Sequence, residues 1–226
     1  MVNKILAAFV FADFMFAVGG ALMLGFSVIV QQTVSQQATD GMEVAKNLLY
    51  RDFPFNVGIA NAVLTFIIFA FTLPGLATGS RGWLKVAGYL VVVNALFTMG
   101  IGINLWTTTL KMRERFSGIW VAQPAEVQSL LQTAFSCCGF TNSTSPAFVT
   151  NPTCPSPASS ALMRGCAAPL SAFGNNKIDV VFTAVFGMVG LDALLIMALA
   201  CLLKDRKERE RYRHIDEKSG ARMGGF

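Results

Sequence analysis

Four long apolar stretches constrain this chain more than any other feature. They run over about Ile5–Val30, Phe55–Leu76, Val86–Trp106 and Ile178–Leu203. A helix needs about 20 such residues to cross the hydrocarbon of a bilayer. Lipid offers an open backbone no hydrogen-bond partner, so each stretch is read as a helix. The charge content agrees: only 14% of the 226 residues are charged, against about 25% in an average soluble domain. The first stretch has Lys4 ahead of it and Ala17-Val18-Gly19 within it, as a signal peptide would. It runs well past the roughly 7–15-residue core of such a signal, and Asp13 interrupts it, so it is expected to stay as a helix.

These stretches divide the chain into a first span (1–30), a small loop (31–54), a second span (55–76) and an inner turn (77–85). A third span (86–106), a large loop (107–177), a fourth span (178–203) and a charged tail (204–226) follow. Eleven of the 18 Lys and Arg residues fall in the N-terminus, inner turn and tail, the shorter segments in total. Positive charge concentrates on the cytoplasmic side. Both termini are therefore expected in the cytoplasm and both loops outside. The net charge of +5 belongs to the membrane side, and no basic stripe with interleaved aromatics points to nucleic acid.

Within the large loop, Thr107–Ile119 is expected to continue the third span as a helix. Pro124–Phe135 reads as a second helix, with Pro124 in its first turn, Glu126 at its positive end and an apolar stripe of Val127, Leu130, Leu131 and Ala134. Gly139 suits a left-handed exit. Phe140–Gly165 is rich in Ser, Thr, Pro and Asn and is expected to be irregular. A third helix near Ala168–Ile178 would lead into the fourth span.

Four of the five cysteines, Cys137, Cys138, Cys154 and Cys166, lie in this loop. On the outer face, oxidation persists. Four cysteines allow three connectivities, and the short link between Cys137 and Cys138 disfavours a bridge between them. Two remain: Cys137–Cys166 with Cys138–Cys154, or the crossed exchange. Closing a loop of about 15 residues is worth roughly 3 kcal/mol, which matters for an outer segment too small for a large core. Zinc is a poor alternative: the one histidine, His214, lies in the tail, and Cys137-Cys138 lacks C-x-x-C spacing.

Four spans, a short and a long outer loop, Cys137-Cys138-Gly139 after an amphipathic helix, then Pro152-Thr153-Cys154 and a final Cys166 together resemble a tetraspanin. The resemblance covers nearly the whole chain. It implies an all-α integral membrane protein: a four-transmembrane-helix bundle with a small helical, disulfide-stapled large extracellular loop. It implies the nested pairing, Cys137–Cys166 and Cys138–Cys154, and makes Phe140–Gly165 the variable partner-binding part. The inner turn lacks the cysteine and acid of many animal members, and the loop and tail look closest to the fungal branch, which is tied to infection structures and host penetration. The activity implied is non-enzymatic: lateral recruitment of membrane proteins, other tetraspanins among them, at the plasma membrane or endosomal-vacuolar membranes.

Asp13, Asn61, Asn94, Asn104 and Asp192 fall in or at the ends of the spans. An acid near mid-bilayer costs about 2.5–3.5 kcal/mol on insertion scales, so it must face the bundle and find a donor. Asp13, Asn94 and Asp192 lie at depths where they could meet, with Asn94 donating to either carboxylate. Such a cluster acts as glue between helices, as the lining of a pocket for a sterol or other lipid, or as a proton or ion path. Small residues four apart (Ala17, Ala21 and Gly25; Gly58 and Ala62; Thr98 and Gly102) would let helices approach. Trp83 and Trp106 suit the two interfaces.

Four further signals are local. Asn142-Ser143-Thr144 is a glycosylation sequon. Cys201, next to the basic tail, is placed for S-palmitoylation. Tyr212-Arg213-His214-Ile215 matches a tyrosine-based sorting pattern that a cytoplasmic adaptor would take as an added strand; the alternative is a charged helix, with Glu208 and Tyr212 four apart. The basic excess of that tail would also meet anionic lipid. No nucleophile constellation suggests an enzyme. A transporter using Asp13 and Asp192 would lack the inverted repeats and broken helices of that class. A claudin-type junction protein is disfavoured, because the small loop has no cysteine.

Overall fold

The computed structural model describes residues 4–35, 38–51, 53, 55–78 and 80–223, with side chains to Lys218. Gly79 of the inner turn and the terminal Gly224-Gly225-Phe226 lie outside the described residues. The described chain is helical: α1 (Lys4–Val34), α2 (Gly41–Arg51), α3 (Phe55–Thr78), α4 (Arg81–Leu110), α5 (Met112–Ala122), α6 (Ala125–Phe135), α7 (Pro157–Ala161) and α8 (Ala167–Met223). Four of these, α1, α3, α4 and α8, are long and apolar enough to cross a membrane, so the chain is an integral membrane protein. It divides into two compact units. The first comprises Met1–Gly25, Val57–Gly100 and Val185–Phe226; the second comprises Phe26–Asn56 and Ile101–Ala184.

In the first unit, buried positions on every long helix recur at alternating steps of three and four. They are Phe9, Asp13, Phe16 and Gly20 on α1; Asn61, Thr65, Ile68, Thr72 and Gly75 on α3; Leu84, Ala87, Val91, Asn94 and Thr98 on α4; and Val185, Met188, Asp192, Leu195, Leu199 and Leu202 on α8. That spacing is the seam of supercoiled helices. The opposite faces carry large exposed apolar side chains, among them Phe11, Leu22, Leu96 and Met197. A helix apolar on all sides is one built for lipid.

The close approaches on α1 differ from the expected small-residue face. Ala21 is exposed and Gly25 has open space around it. Gly19 and Gly20 take that role: a β-carbon on Gly20 would lie 2.7 Å from Thr65 Cγ2, and one on Gly19 would strike Met188. A four-residue step alone does not say which side of a helix faces its neighbour.

The second unit holds the loop helices. Its core includes Leu49, Met112, Phe116, Trp120, Leu131, Phe135, Phe140, Leu170 and Ile178. Trp120 packs on Phe140 with ring centres 5.8 Å apart, and Phe135 meets Phe173 edge-on at 5.4 Å. A β-carbon on Gly174 would lie 2.6 Å from the Phe116 ring, so α8 and α5 touch closely there. Helix α2, unanticipated in the small loop, packs on α6. Gly41 permits this, because a β-carbon there would collide with the Leu130 carbonyl and Ala134.

Local details depart from expectation. The continuation of the third span breaks at Lys111 (φ −103°, ψ 14°) before α5 resumes to Ala122. Pro124 is the N-cap residue of α6, not part of its first turn, and Ser136, not Gly139, makes the left-handed exit (φ 48°). Gly139 has its own positive φ of 70°, three residues beyond Ser136. The helix before the fourth span is one with it, since α8 is continuous from Ala167.

Candidate functional site

The segment from Ser136 to Cys166 leaves α6 and returns to α8. Two bridges close it, Cys137–Cys166 (Cα–Cα 5.0 Å) and Cys138–Cys154 (Cα–Cα 5.9 Å). Of the two connectivities left open by the residues, the structure has the nested one, and all four cysteines are buried. The base of the loop is also tied through the backbone: Cys138 N–H donates to Arg164 O (3.0 Å), Cys166 N–H to Gly139 O (3.0 Å) and Ala167 N–H to Phe140 O (2.8 Å). Gly165 lies so near the Phe140 and Thr141 carbonyls that any side chain there would collide with backbone.

Most of this loop is irregular, with the short α7 and an isolated bridge between Thr144 and Ala147. Irregular backbone must find partners outside a ladder. Side-chain amides supply them. Gln132, fully buried on α6, donates to Val149 O (2.8 Å) and accepts from Val149 N–H (2.9 Å). Asn151 donates to Ser129 O (3.1 Å) and accepts from Cys154 N–H (2.7 Å). Ser156 and Ser159 form a capping box on α7. Neither amide clamp was foreseen. Gln132 lies off the expected stripe of Val127, Leu130, Leu131 and Ala134, and the buried face of α6 is instead Leu131, Gln132 and Phe135, so the spacing carried no sign of it.

Asn142 is exposed. Its Oδ1 accepts from the Thr144 hydroxyl (2.9 Å), Thr144 N–H (3.0 Å) and Ser145 N–H (2.8 Å), so the sequon lies in a compact turn. Leu162, beside α7, is 90% exposed. In the second unit a cleft is lined by Gln31, Tyr50, Arg51, Phe53, Phe55 and Asn56. Arg115 stacks 5.3 Å above the Phe53 ring. Burial pushes the Tyr50 phenol above its ordinary pKa.

The polar residues of the first unit form two groups and not one cluster: Asp13 with Thr72, and Asp192 with Asn94, Thr98 and Asn61, joined through the Thr98 hydroxyl, which donates to Asn94 O (2.9 Å). Asn94 Nδ2 donates to Asp192 Oδ1 (3.0 Å). Asp13 instead takes the Thr72 hydroxyl (2.6 Å) on α3. Asn61 donates to Thr98 (3.1 Å). The expected meeting of Asp13 with Asn94 and Asp192 is thus replaced by two sites with one acid in each. Depth along a helix is readable from the sequence; the direction in which each side chain faces is not, and nothing in the spacing marks Thr72 as the partner of Asp13. Asp13 Oδ1, Asn94 Oδ1 and Asp192 Oδ2 remain buried without a hydrogen-bond partner. Asn104, by contrast, is exposed.

Cys201 is an exposed free thiol. Tyr212 and Ile215 are exposed at 68% and 58%, but they lie within α8, not on an extended strand. The helix is reinforced there by the ion pairs Arg209–Asp205 (3.0 Å) and Arg213–Glu217 (3.4 Å), so the charged-helix alternative describes this segment. Among the described residues, no three His, Cys, Asp or Glu side chains are grouped to hold a metal.

No family model, no curated protein and no solved structure matches the chain.

Proposed function

We propose that this protein is a tetraspanin-like, non-enzymatic organiser of membrane proteins. The loop stapled at Cys137–Cys166 and Cys138–Cys154 is its partner-binding head, and recruitment is lateral, within the plane of a plasma or endosomal-vacuolar membrane. The observation that carries this reading is the nested pair of bridges on adjacent cysteines, closing an irregular loop between α6 and the membrane-length α8. A stapled loop holds its surface in one shape before a partner arrives, so less ordering is needed on binding. The long helices supply a membrane anchor.

In this reading both termini are cytoplasmic, Asn142 carries a glycan, and Cys201 carries a palmitoyl chain beside the basic tail. The polar pairs of the first unit hold helices together and border a lipid, a sterol among the candidates. The resemblance to the fungal branch extends the proposal to a role in infection structures or host penetration. Proximity labelling from the outer face, followed by crosslink identification, tests it. Recovery of membrane proteins that is lost in Cys138→Ser supports the reading; protease protection that puts the loop in the cytosol defeats it. A transport reading draws on the three unpartnered oxygens of Asp13, Asn94 and Asp192. Ion flux in reconstituted vesicles that disappears in Asp192→Asn would favour it instead.

A further inference from the structure

Beyond Leu203, α8 keeps its helical course to Met223 but changes character. The buried seam of Leu195, Leu199 and Leu202 continues as Arg206, Glu210, Arg213 and Glu217 at the same steps of three and four. This face is engaged. Arg206 Nη1 donates to the Gly75 carbonyl at 2.9 Å, at the end of α3 where helix carbonyls lack intrahelical partners. Glu210 makes an ion pair with Arg81 at the start of α4, and Glu217 accepts from Arg213.

The flanking face is different. Lys204, Lys207, Arg211, His214 and Lys218 follow one another at steps of three, four, three and four, so they line one side of the helix. All five are exposed. Asp205 pairs with Arg209 and Glu210 with Arg81, Glu217 reaches Arg213 and also His214 of the row (3.5 Å), and Glu208 borders the row between Lys204 and Arg211. The row has the seam spacing of a coiled coil, with cations where apolar residues would sit. A second copy of the same face would oppose like charges, so self-pairing is disfavoured.

We propose that this face docks an acidic helix, side by side, with Glu or Asp repeating at the same heptad spacing. Charge complementarity selects the partner, and geometry selects a helix over a lipid surface. Lys218 is 14 residues beyond Lys204, about 21 Å along a continuous helix at 1.5 Å per residue. Charges in salt solution are screened beyond about 8–10 Å, so the end of a spanning helix meets its own membrane with the first cations only. A second helix alongside meets them all. The proposal does not depend on the tetraspanin-like reading.

The test uses the full chain in phosphatidylcholine nanodiscs and a labelled three-heptad peptide with Glu at both seam positions. Its control is a peptide of the same composition with the spacing scrambled. The matched peptide is expected to bind at least about tenfold more tightly than the scrambled one, weakening as salt rises. The triple variant Lys204→Glu, Arg211→Glu, Lys218→Glu should lose that binding. Arg213→Glu, on the other face, should retain it. Glu208→Lys, which extends the row, should tighten it. Equal binding of both peptides, or unchanged binding by the triple variant, overturns the proposal. So does loss of peptide binding when phosphatidylserine is added to the disc, which would assign the face to lipid.

Discussion

In the first unit, buried polar side chains pair with one another across helices: Asn94 with Asp192, Asp13 with Thr72, Asn61 with Thr98. In the loop of the second unit they bond to backbone instead, Gln132 to both groups of Val149 and Asn151 to Ser129 and Cys154. The difference follows from what each backbone needs. A helix satisfies its own amides, so its polar side chains are left to choose partners on other helices. An irregular loop leaves amides and carbonyls open, and side chains and two disulfides must complete it. The lesson is that a polar residue on a buried helix face reads differently in the two settings: helix-to-helix register in lipid, loop anchoring outside it.

This contrast can be broken or sharpened by substitution. The largest effect is expected from the pair Cys137→Ser and Cys166→Ser. Removing a native disulfide from a small domain costs about 2–5 kcal/mol. Hydrogen exchange should show protection lost from Ser136 to Cys166 while α3 and α4 of the first unit keep theirs; equal loss in both units would end the comparison. Next, Gly41→Val should drive α2 off α6, because the new side chain meets the Leu130 carbonyl. Overpacking of this kind costs about 1–3 kcal/mol, read as faster exchange in α2. Gln132→Leu removes both bonds to the half-buried Val149 and leaves its amide and carbonyl without them, for about 1–3 kcal/mol. Limited proteolysis near Val149 should quicken, and an unchanged rate would refute the anchoring role. The smallest effect is expected from Asn94→Ala. Hydrogen bonds between helices in membranes are worth about 0.6 kcal/mol on average and up to about 1.7, so steric-trapping measurements should register a small loss.

Much of the fold was legible because lipid permits so few answers. Twenty apolar residues with almost no charge have one stable form, and four such runs gave four long helices. The two candidate pairings were legible from Cys137 and Cys138 being neighbours. Other features were hidden for physical reasons. Helix α2 carries its own signal, with Glu43 in its first turn, Arg51 in its last, and Val44, Ala45 and Leu49 buried on one face. An 11-residue helix is marginal by itself, so its existence depends on α6, which sequence spacing does not reveal. Asp13 was placed with Asn94 because both lie mid-span, yet only the packed helices determine which donor an acid faces. Ser136 adopts φ 48° where a glycine was expected, and the capping bonds to Gln132 and Thr133 offset that strain.

The nested bridges also decide what a nick would do to this chain. Between residues 139 and 153 both disulfides straddle any cut peptide bond, so two reductions are needed before fragments part. Between residues 155 and 165 only Cys137–Cys166 straddles it, and a single reduction frees the ends. A protease reaching the exposed turn at Asn142 would therefore leave a cleaved protein of undiminished covalent mass, plus one water, still riveted together at its root.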